Sequence, residues 1–141
     1  MKWLVTTCFL AMAQIAAQSG PQDAAGMVAA LQGNWTITHV NGKALANLGQ
    51  NSSIRFTQNA YTVTTNGQVK ERGTFRVNGA TSPMQIDMRI TEGIAPGSTQ
   101  LGVIQVAGGT LALKTNTIGT PQRPIDFKAD PRYVLFVAQK D

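Results

Sequence analysis

In Leu31-Gln32-Gly33-Asn34-Trp35, a short helical segment ends and the first of a series of strands begins. Trp35 is the only tryptophan beyond the N-terminal segment. A large aromatic side chain at the start of a first strand can close one end of a curved sheet, and Gly33 lets the chain turn tightly beneath it. The sequence therefore predicts a structure organised around the Trp35 indole.

Residues 1–17 have the pattern of a secretory signal peptide. Lys2 precedes an apolar run from Trp3 to Ala13, and small residues follow. The run is about 11 residues, shorter than the roughly 20 that a membrane-spanning helix needs. The alternative is a lipoprotein signal acylated at Cys8, but that cysteine lies in the middle of the run. We therefore expect an exported protein, periplasmic or extracellular, with no stable membrane insertion.

Composition limits the chemistry of the remaining chain. Cys8 is the only cysteine among the 141 residues, so disulfides and thiolate sites are excluded beyond residue 17. Removing Lys2 from the 12 Lys and Arg leaves 11 against 7 Asp and Glu, a net charge of +4. These charges are scattered, and no basic run is interleaved with aromatic residues, so we expect no nucleic-acid binding. The length predicts a flexible linker over 18–22 and one domain over 23–141.

A short helix is predicted before the first strand. Asp23 is a suitable N-cap, and Met27, Val28 and Leu31 lie on one face of a helix that ends at Leu31. The alternative is a simple linker turn. A helix with one apolar face is well suited to cover the end of a barrel.

Eight segments alternate apolar and polar residues with the period of a strand. They are 35–40, 53–58, 60–65, 70–77, 84–90, 99–106, 110–115 and 132–139. In a meander the short turns fall at the end that holds Trp35, whereas the longer connections 41–52, 91–98 and 116–131 fall at the other. The predicted fold is all-β, an eight-stranded antiparallel up-and-down barrel with a short N-terminal helix and an open mouth.

Several motifs resemble those of a known superfamily. Gly33-Asn34-Trp35 looks like the Gly-x-Trp motif of the lipocalin and calycin barrels, and Lys140 stands where that superfamily often places a cation over the Trp. A longer succession resembles the small lipocalin-like domain that recurs in planctomycete-type bacteria and has no established biochemical role. Its elements are Leu31-Gln32-Gly33, Tyr61-Thr62-Val63, Gly73-Thr74-Phe75, Ser82-Pro83, Ile86-Asp87, Gly102, Gly109 to Leu113, Arg123-Pro124 and Phe127.

This resemblance covers about residues 31–140 and implies a lipocalin-like fold, with Gly33, Trp35 and Lys140 in structural roles. The chain departs from the pattern at two places. Many members have a cysteine close to the position of Lys114, and an aromatic residue near Gln105 is missing here. The resemblance implies no reaction.

Four residues are predicted to form a ligand-binding rim at the mouth. They are His39, Glu71, Ile90 and Arg132. His39 shares its alternation with Trp35, which predicts an inward side chain near the mouth, and Glu71 has the same parity as Phe75. A carboxylate and an imidazole at one rim could orient a polar head group or form an acid–base pair. The alternative is that both are solvated at strand ends.

Other charged residues are predicted to have surface roles. Asp87 points outward, toward Arg76 or Arg89, and Asp126 tethers the long loop by charge-assisted hydrogen bonds. Four outward arginines could form a basic stripe that faces an acidic partner, or simply a solvated sheet face. These are Arg55, Arg72, Arg76 and Arg89.

Three functional hypotheses follow. The first is a non-enzymatic barrel that binds a small hydrophobic ligand at its open end. The second is a barrel with a filled core that contacts a protein partner through its loops and basic face. The third, an enzyme, is disfavoured because His39 is the only histidine and nucleophiles and metal ligands are scarce. We expect a monomer without catalytic residues, metal or cofactor. A mouth-connected cavity above about 300 Å³ would favour ligand binding.

Overall fold

A computed structural model describes residues 20–141 of the chain. The predicted signal peptide and the first part of the linker lie outside the described residues. The described chain forms one α-helix, one 3₁₀ helix and nine strands. They are α1 (Ala24–Leu31), β1 (Gly33–Val40), β2 (Lys43–Ala44), a 3₁₀ helix (Leu45–Leu48), β3 (Ser52–Thr57), β4 (Ala60–Thr65), β5 (Gln68–Asn78), β6 (Met84–Glu92), β7 (Thr99–Ala107), β8 (Thr110–Asn116) and β9 (Tyr133–Lys140).

The eight long strands form an antiparallel up-and-down barrel. Each pairs with the next long strand along the chain, and β9 pairs back to β1 to close the sheet. The predicted fold class is confirmed, and all eight strands lie within a few residues of their predicted bounds. Two-residue turns at Asn66-Gly67 and Gly108-Gly109 have positive φ at both positions, which matches the twist of tight hairpins.

The prediction missed β2 and the 3₁₀ helix that follows it. Asn41 and Gly42 have φ of 51° and 79°, so they make a hairpin turn that pairs β2 with the end of β1. This turn directs Leu45 into the hydrophobic core, where it is 3% exposed. The connection 41–51 therefore folds back onto the mouth instead of standing free around it.

The end of the barrel that holds Trp35 is closed. The indole is 1% exposed, and its Nε1 donates to the Leu31 carbonyl oxygen at 2.7 Å, which attaches α1 to the barrel. Lys140 pairs with Trp35 across β1 and β9, and its ammonium lies 4.8 Å from the indole centroid while donating to the Gln32 carbonyl. Gly33 has φ of +111° and leaves room for this ammonium. All three residues expected to be structural meet here.

Helix α1 begins as predicted. The Asp23 carboxylate accepts a hydrogen bond from the Gly26 amide at 2.7 Å, which satisfies one of the free N–H groups of the first turn. Met27 and Leu31 are buried, and Val28 packs at the edge of the same core. The helix covers the closed end, since its apolar residues join the cluster that fills the barrel floor.

Candidate functional site

The barrel interior contains a cavity of about 110 Å³ between its mouth and the Trp35 floor. Most side chains around it are aliphatic or aromatic, and three are polar. The lining residues are Ile37, Ile54, Val63, Glu71, Met88, Gln100, Leu111, Leu113, Thr115, Phe136 and Ala138. The cavity is smaller than the roughly 300 Å³ at which ordinary small-molecule pockets begin. It is similar in scale to an engineered cavity of about 150 Å³ that admits benzene.

Glu71 is the charged residue of this cavity. Its carboxylate accepts a hydrogen bond from the Tyr61 hydroxyl, with the two oxygens 2.7 Å apart. No other donor among residues 20–141 bonds to this carboxylate. An ionised carboxylate accepts about four hydrogen bonds, so Glu71 retains acceptor capacity toward the cavity.

The Tyr61 hydroxyl is held as a proton donor. Burial raises the pKa of Tyr61 far above its usual range, and the hydrogen bond to Glu71 and the charge of that carboxylate raise it further. Gly73 makes room for the Tyr61 ring, since a Cβ atom at this glycine would lie 2.6 Å from Cε1 of the tyrosine. The sequence alone does not predict this pairing, because it depends on contact between β4 and β5.

His39 does not lie inside the barrel. A β-bulge at Thr38 leaves Ile37 opposite Ala138 and puts His39 opposite Val137. The extra residue reverses the alternation, so the imidazole is exposed on the outer face and its Nδ1 lies 2.9 Å from Thr38 Oγ1. The imidazole therefore does not point inward as predicted, and its exposed position agrees with the alternative of a histidine solvated at a strand end.

Arg132 also lies outside the mouth. Its guanidinium forms hydrogen bonds with both oxygens of Asp130, at 3.1 and 2.8 Å, and stands 5.4 Å from the Tyr133 ring centroid. These bonds lower the pKa of the Asp130 carboxyl to about 2. Ile90 is 1% exposed and shares the inward parity of Met88, but it does not line the cavity. The structure therefore leaves only Glu71 of the four predicted rim residues facing the cavity.

The long connection 117–132 lies on the outside of the barrel, where Arg123 fastens it. Arg123 donates to the carbonyl oxygens of Ile86 and Gly102, at 3.0 and 2.9 Å, and pairs with Asp87 at 2.5 Å. Asp87 points outward as predicted, but its partner is Arg123 and not Arg76 or Arg89. The reason is that the connection crosses β6 and β7, which the local sequence does not indicate.

Lys114 is buried beneath the same connection. Its ammonium donates to the Lys128 carbonyl at 2.5 Å, lies 3.5 Å from the Asp126 carboxylate and stands 5.1 Å from the Tyr133 ring centroid. Asp126 also accepts from the Lys128 amide at 3.1 Å. Asp126 thus tethers the loop as predicted, although it also holds a lysine from the sheet.

The predicted basic stripe lies on the outer face of β3 to β6. Arg55 and Arg72 flank Thr62 in one row of the sheet, and Arg89 pairs with Thr74 in another. Arg72 forms an exposed ion pair with Glu92 at 3.2 Å. Among the described residues, Arg72 is the one arginine of this face in an ion pair, so the face carries a net positive charge.

Two further properties concern metals and membranes. Within residues 20–141, no three His, Cys, Asp or Glu side chains lie close enough together to hold a metal ion. No helix in that part of the chain is both long and apolar enough to cross a membrane.

Comparison with known proteins does not assign the chain to a family. No protein-family model matches it, and no curated protein sequence matches it either. The closed eight-stranded antiparallel barrel is compatible with a lipocalin-like fold. The narrower resemblance to a planctomycete-type domain remains a prediction.

Proposed function

We propose that this protein is an exported, non-enzymatic binding barrel that holds a small, mainly apolar ligand in its interior cavity. The observation that carries the proposal is a carboxylate, Glu71, placed among aliphatic side chains with one hydroxyl as its hydrogen-bond partner. Glu71 is partly buried, and an ionised carboxylate accepts more hydrogen bonds than the one that Tyr61 donates. A ligand that donates a hydrogen bond to Glu71 would use this remaining acceptor capacity.

The cavity restricts the ligand to a small molecule, or to the end of a larger one. A volume of about 110 Å³ admits a branched aliphatic or single-ring group and excludes a folded fatty acid or a tetrapyrrole. The polar end is expected to be an amine or a hydroxyl, since a carboxylate accepts hydrogen bonds and repels anions. Amines gain most, because a charge-assisted hydrogen bond is about twice as strong as a neutral one.

The small volume also supports the second candidate, a barrel that acts through its surface. A cavity below about 300 Å³ is what the filled-core hypothesis predicts. The outer face with Arg55, Arg72 and Arg89 would then meet an acidic partner. The two candidates differ in whether the interior responds to a small molecule.

An NMR titration separates them. The probe is isobutylamine, with isobutanol as a neutral probe of similar shape, and the signals followed are the methyl groups of Met88 and Leu113, which line the cavity. We expect both signals to shift with the amine. Glu71→Gln should weaken amine binding about tenfold, the loss of one charged hydrogen bond, and change isobutanol binding little.

Two matched variants complete the design. Glu92→Gln makes the same change at an exposed carboxylate on the outer face, and His39→Ala changes a histidine that is exposed outside the barrel. Neither should affect amine binding. Unshifted cavity methyls with both probes would leave the filled-core candidate. Equal amine affinity in Glu71→Gln and the unaltered chain would mean that Glu71 does not hold the amine. Native mass spectrometry of protein from its own host would identify a bound ligand directly.

A further inference from the structure

The exposed large aliphatic side chains of residues 20–141 are concentrated at one end of the barrel. They are Leu48, Val69, Ile94, Ile118 and Ile125. Leu48, Ile94 and Ile118 belong to three connections at the open end, 41–51, 93–98 and 117–132, and Val69 is the second residue of β5, just after the β4–β5 turn. Ile94 is the most exposed of these four, at 73%. The closed end, covered by α1, has none.

The four side chains follow one another around the mouth. Asn51 and Asn66 form two hydrogen bonds, of 2.7 and 3.0 Å, which join the loop after Leu48 to the turn before Val69. Gly93 approaches the backbone of Lys70 and so brings the next loop, with Ile94, beside the start of β5.

The loop that holds Ile94 also lies beside the connection that holds Ile118. Ile118 lines a groove of about 410 Å³ together with Ser98 and Thr99, the residues that end the loop of Ile94. We call the four residues Leu48, Val69, Ile94 and Ile118 the aliphatic arc.

A β-bulge creates part of this arc. In β5, Glu71 pairs with Val63 and Val69 pairs with Thr64, so Lys70 is an extra residue. Without it, Val69 would share the inward parity of Glu71. The bulge instead turns Val69 outward, where it is 47% exposed.

Lysines flank the arc on both sides. Lys70 is next to Val69 in the chain, and its ammonium bonds only to the neutral Gln68 side chain. Lys43 follows Gly42 in the chain, and Gly42 and Lys128 line the same groove, so the two lysines lie in one region. Neither Lys43 nor Lys128 has a carboxylate partner within residues 20–141. The acidic residues of this region are engaged elsewhere: Glu71 bonds Tyr61, Glu92 pairs with Arg72, Asp130 pairs with Arg132, and Asp126 pairs with Lys114.

We propose that the aliphatic arc docks the open end of the barrel reversibly onto an anionic lipid surface. Apolar tips flanked by cations match the two attractions of an interfacial membrane site, burial of aliphatic groups below the head groups and charge pairing with anionic lipid. A fluid bilayer can receive four aliphatic side chains from three loops and the start of β5 without a complementary shape. This surface is separate from the interior cavity, so the inference does not depend on a bound ligand.

The test is vesicle co-sedimentation with a chain that begins at Gln18, because the apolar residues 1–17 would themselves bind lipid. This chain keeps the whole closed barrel and its core. The vesicles contain either phosphatidylcholine alone or phosphatidylcholine with 30% phosphatidylglycerol, a composition on the order of the anionic fraction that attracts basic segments. We expect binding to the anionic vesicles, weakened by salt.

Two sets of variants locate the contact. Ile94→Ser with Ile118→Ser should lower binding about tenfold, by removing two aliphatic groups from the interface. Ile125→Ser is the matched control, since this isoleucine is 82% exposed but follows Arg123, which is bonded to the outer wall at Ile86 and Gly102. Lys43→Gln and Lys70→Gln should each lower binding about fivefold, which corresponds to about 1 kcal/mol per basic residue.

Three results would overturn the proposal. One is no binding to the anionic vesicles. Another is an effect of Ile125→Ser equal to that of the arc variant. The third is a larger loss in Arg76→Gln with Arg89→Gln than in the lysine variants, which would move the contact to the outer sheet face. Circular dichroism of every variant establishes that the barrel is still folded, so that a loss of binding reports the surface.

Discussion

Replacing Tyr61 by phenylalanine removes one oxygen atom and thereby isolates the hydrogen bond at the centre of the candidate site. The ring is 1% exposed, and phenylalanine keeps its shape and packing. A hydrogen bond to a charged group contributes about 1.5–3 kcal/mol. Glu71 is only partly buried, so water replaces some of the lost interaction. We therefore expect Tyr61→Phe to lower the free energy of unfolding by about 1.5–2 kcal/mol.

Urea unfolding followed by the fluorescence of Trp35 measures this change, and a thermal melt should show a fall of about 6 °C for a domain of this size. Tyr133→Phe is the matched control. Tyr133 is 7% exposed, and its hydroxyl has no hydrogen-bond partner within the described residues, so we expect a loss below about 0.5 kcal/mol.

A double-mutant cycle assigns the effect to the carboxylate. In a Glu71→Gln background the tyrosine donates to a neutral oxygen, and the cost of Tyr61→Phe should fall to about half. Equal losses in Tyr61→Phe and Tyr133→Phe would refute the reasoning, because the Glu71 hydrogen bond would then add nothing to stability. An unchanged cost in the Glu71→Gln background would show that the carboxylate charge does not matter.

Three other predictions concern the same wall and its outer loop. The folded state keeps the Tyr61 proton, whereas the unfolded chain loses it above the usual pKa of about 10, so the free energy of unfolding should fall as pH rises past 10. In urea titrations at pH 9–11, Tyr61→Phe should make this fall less steep by up to about 1.4 kcal/mol per pH unit. Identical pH dependence in the variant and the unaltered chain would contradict this. Gly73→Ala should lower the free energy of unfolding by about 3 kcal/mol in the same assay, because the new Cβ would overlap the Arg89 carbonyl oxygen and the tyrosine ring. A loss below about 1 kcal/mol would mean that the wall relaxes. Arg123→Ala should release the outer loop and speed tryptic cleavage after Lys128 about tenfold, because charged hydrogen bonds to the wall are lost. The control Arg89→Ala should leave the cleavage rate unchanged. Equal rates in the two variants would show that other contacts hold the loop.

The candidate site was only partly predictable. Glu71 was expected to face inward near the mouth, and it does, because its strand alternates regularly from Phe75 back to this residue. The same alternation predicts the wrong side for His39, because one extra residue at Thr38 reverses the pattern. Nothing in the local sequence indicates this bulge. The hydrogen bond between Tyr61 and Glu71 joins residues on neighbouring strands, so register decides it.

By itself, the sequence determined the strands, the helix capped by Asp23, and a barrel with Trp35 at its closed end. These features follow from short-range causes: a two-residue period, turn residues that accept positive φ, and one large aromatic placed after a glycine. Three features depend on contacts between distant parts of the chain: the positions of the bulges, the attachment of the long connection to the outer wall by Arg123, and the space left inside. The cavity of about 110 Å³ is the part of the barrel interior that the inward side chains do not fill. Its size depends on the packing of all eight long strands together.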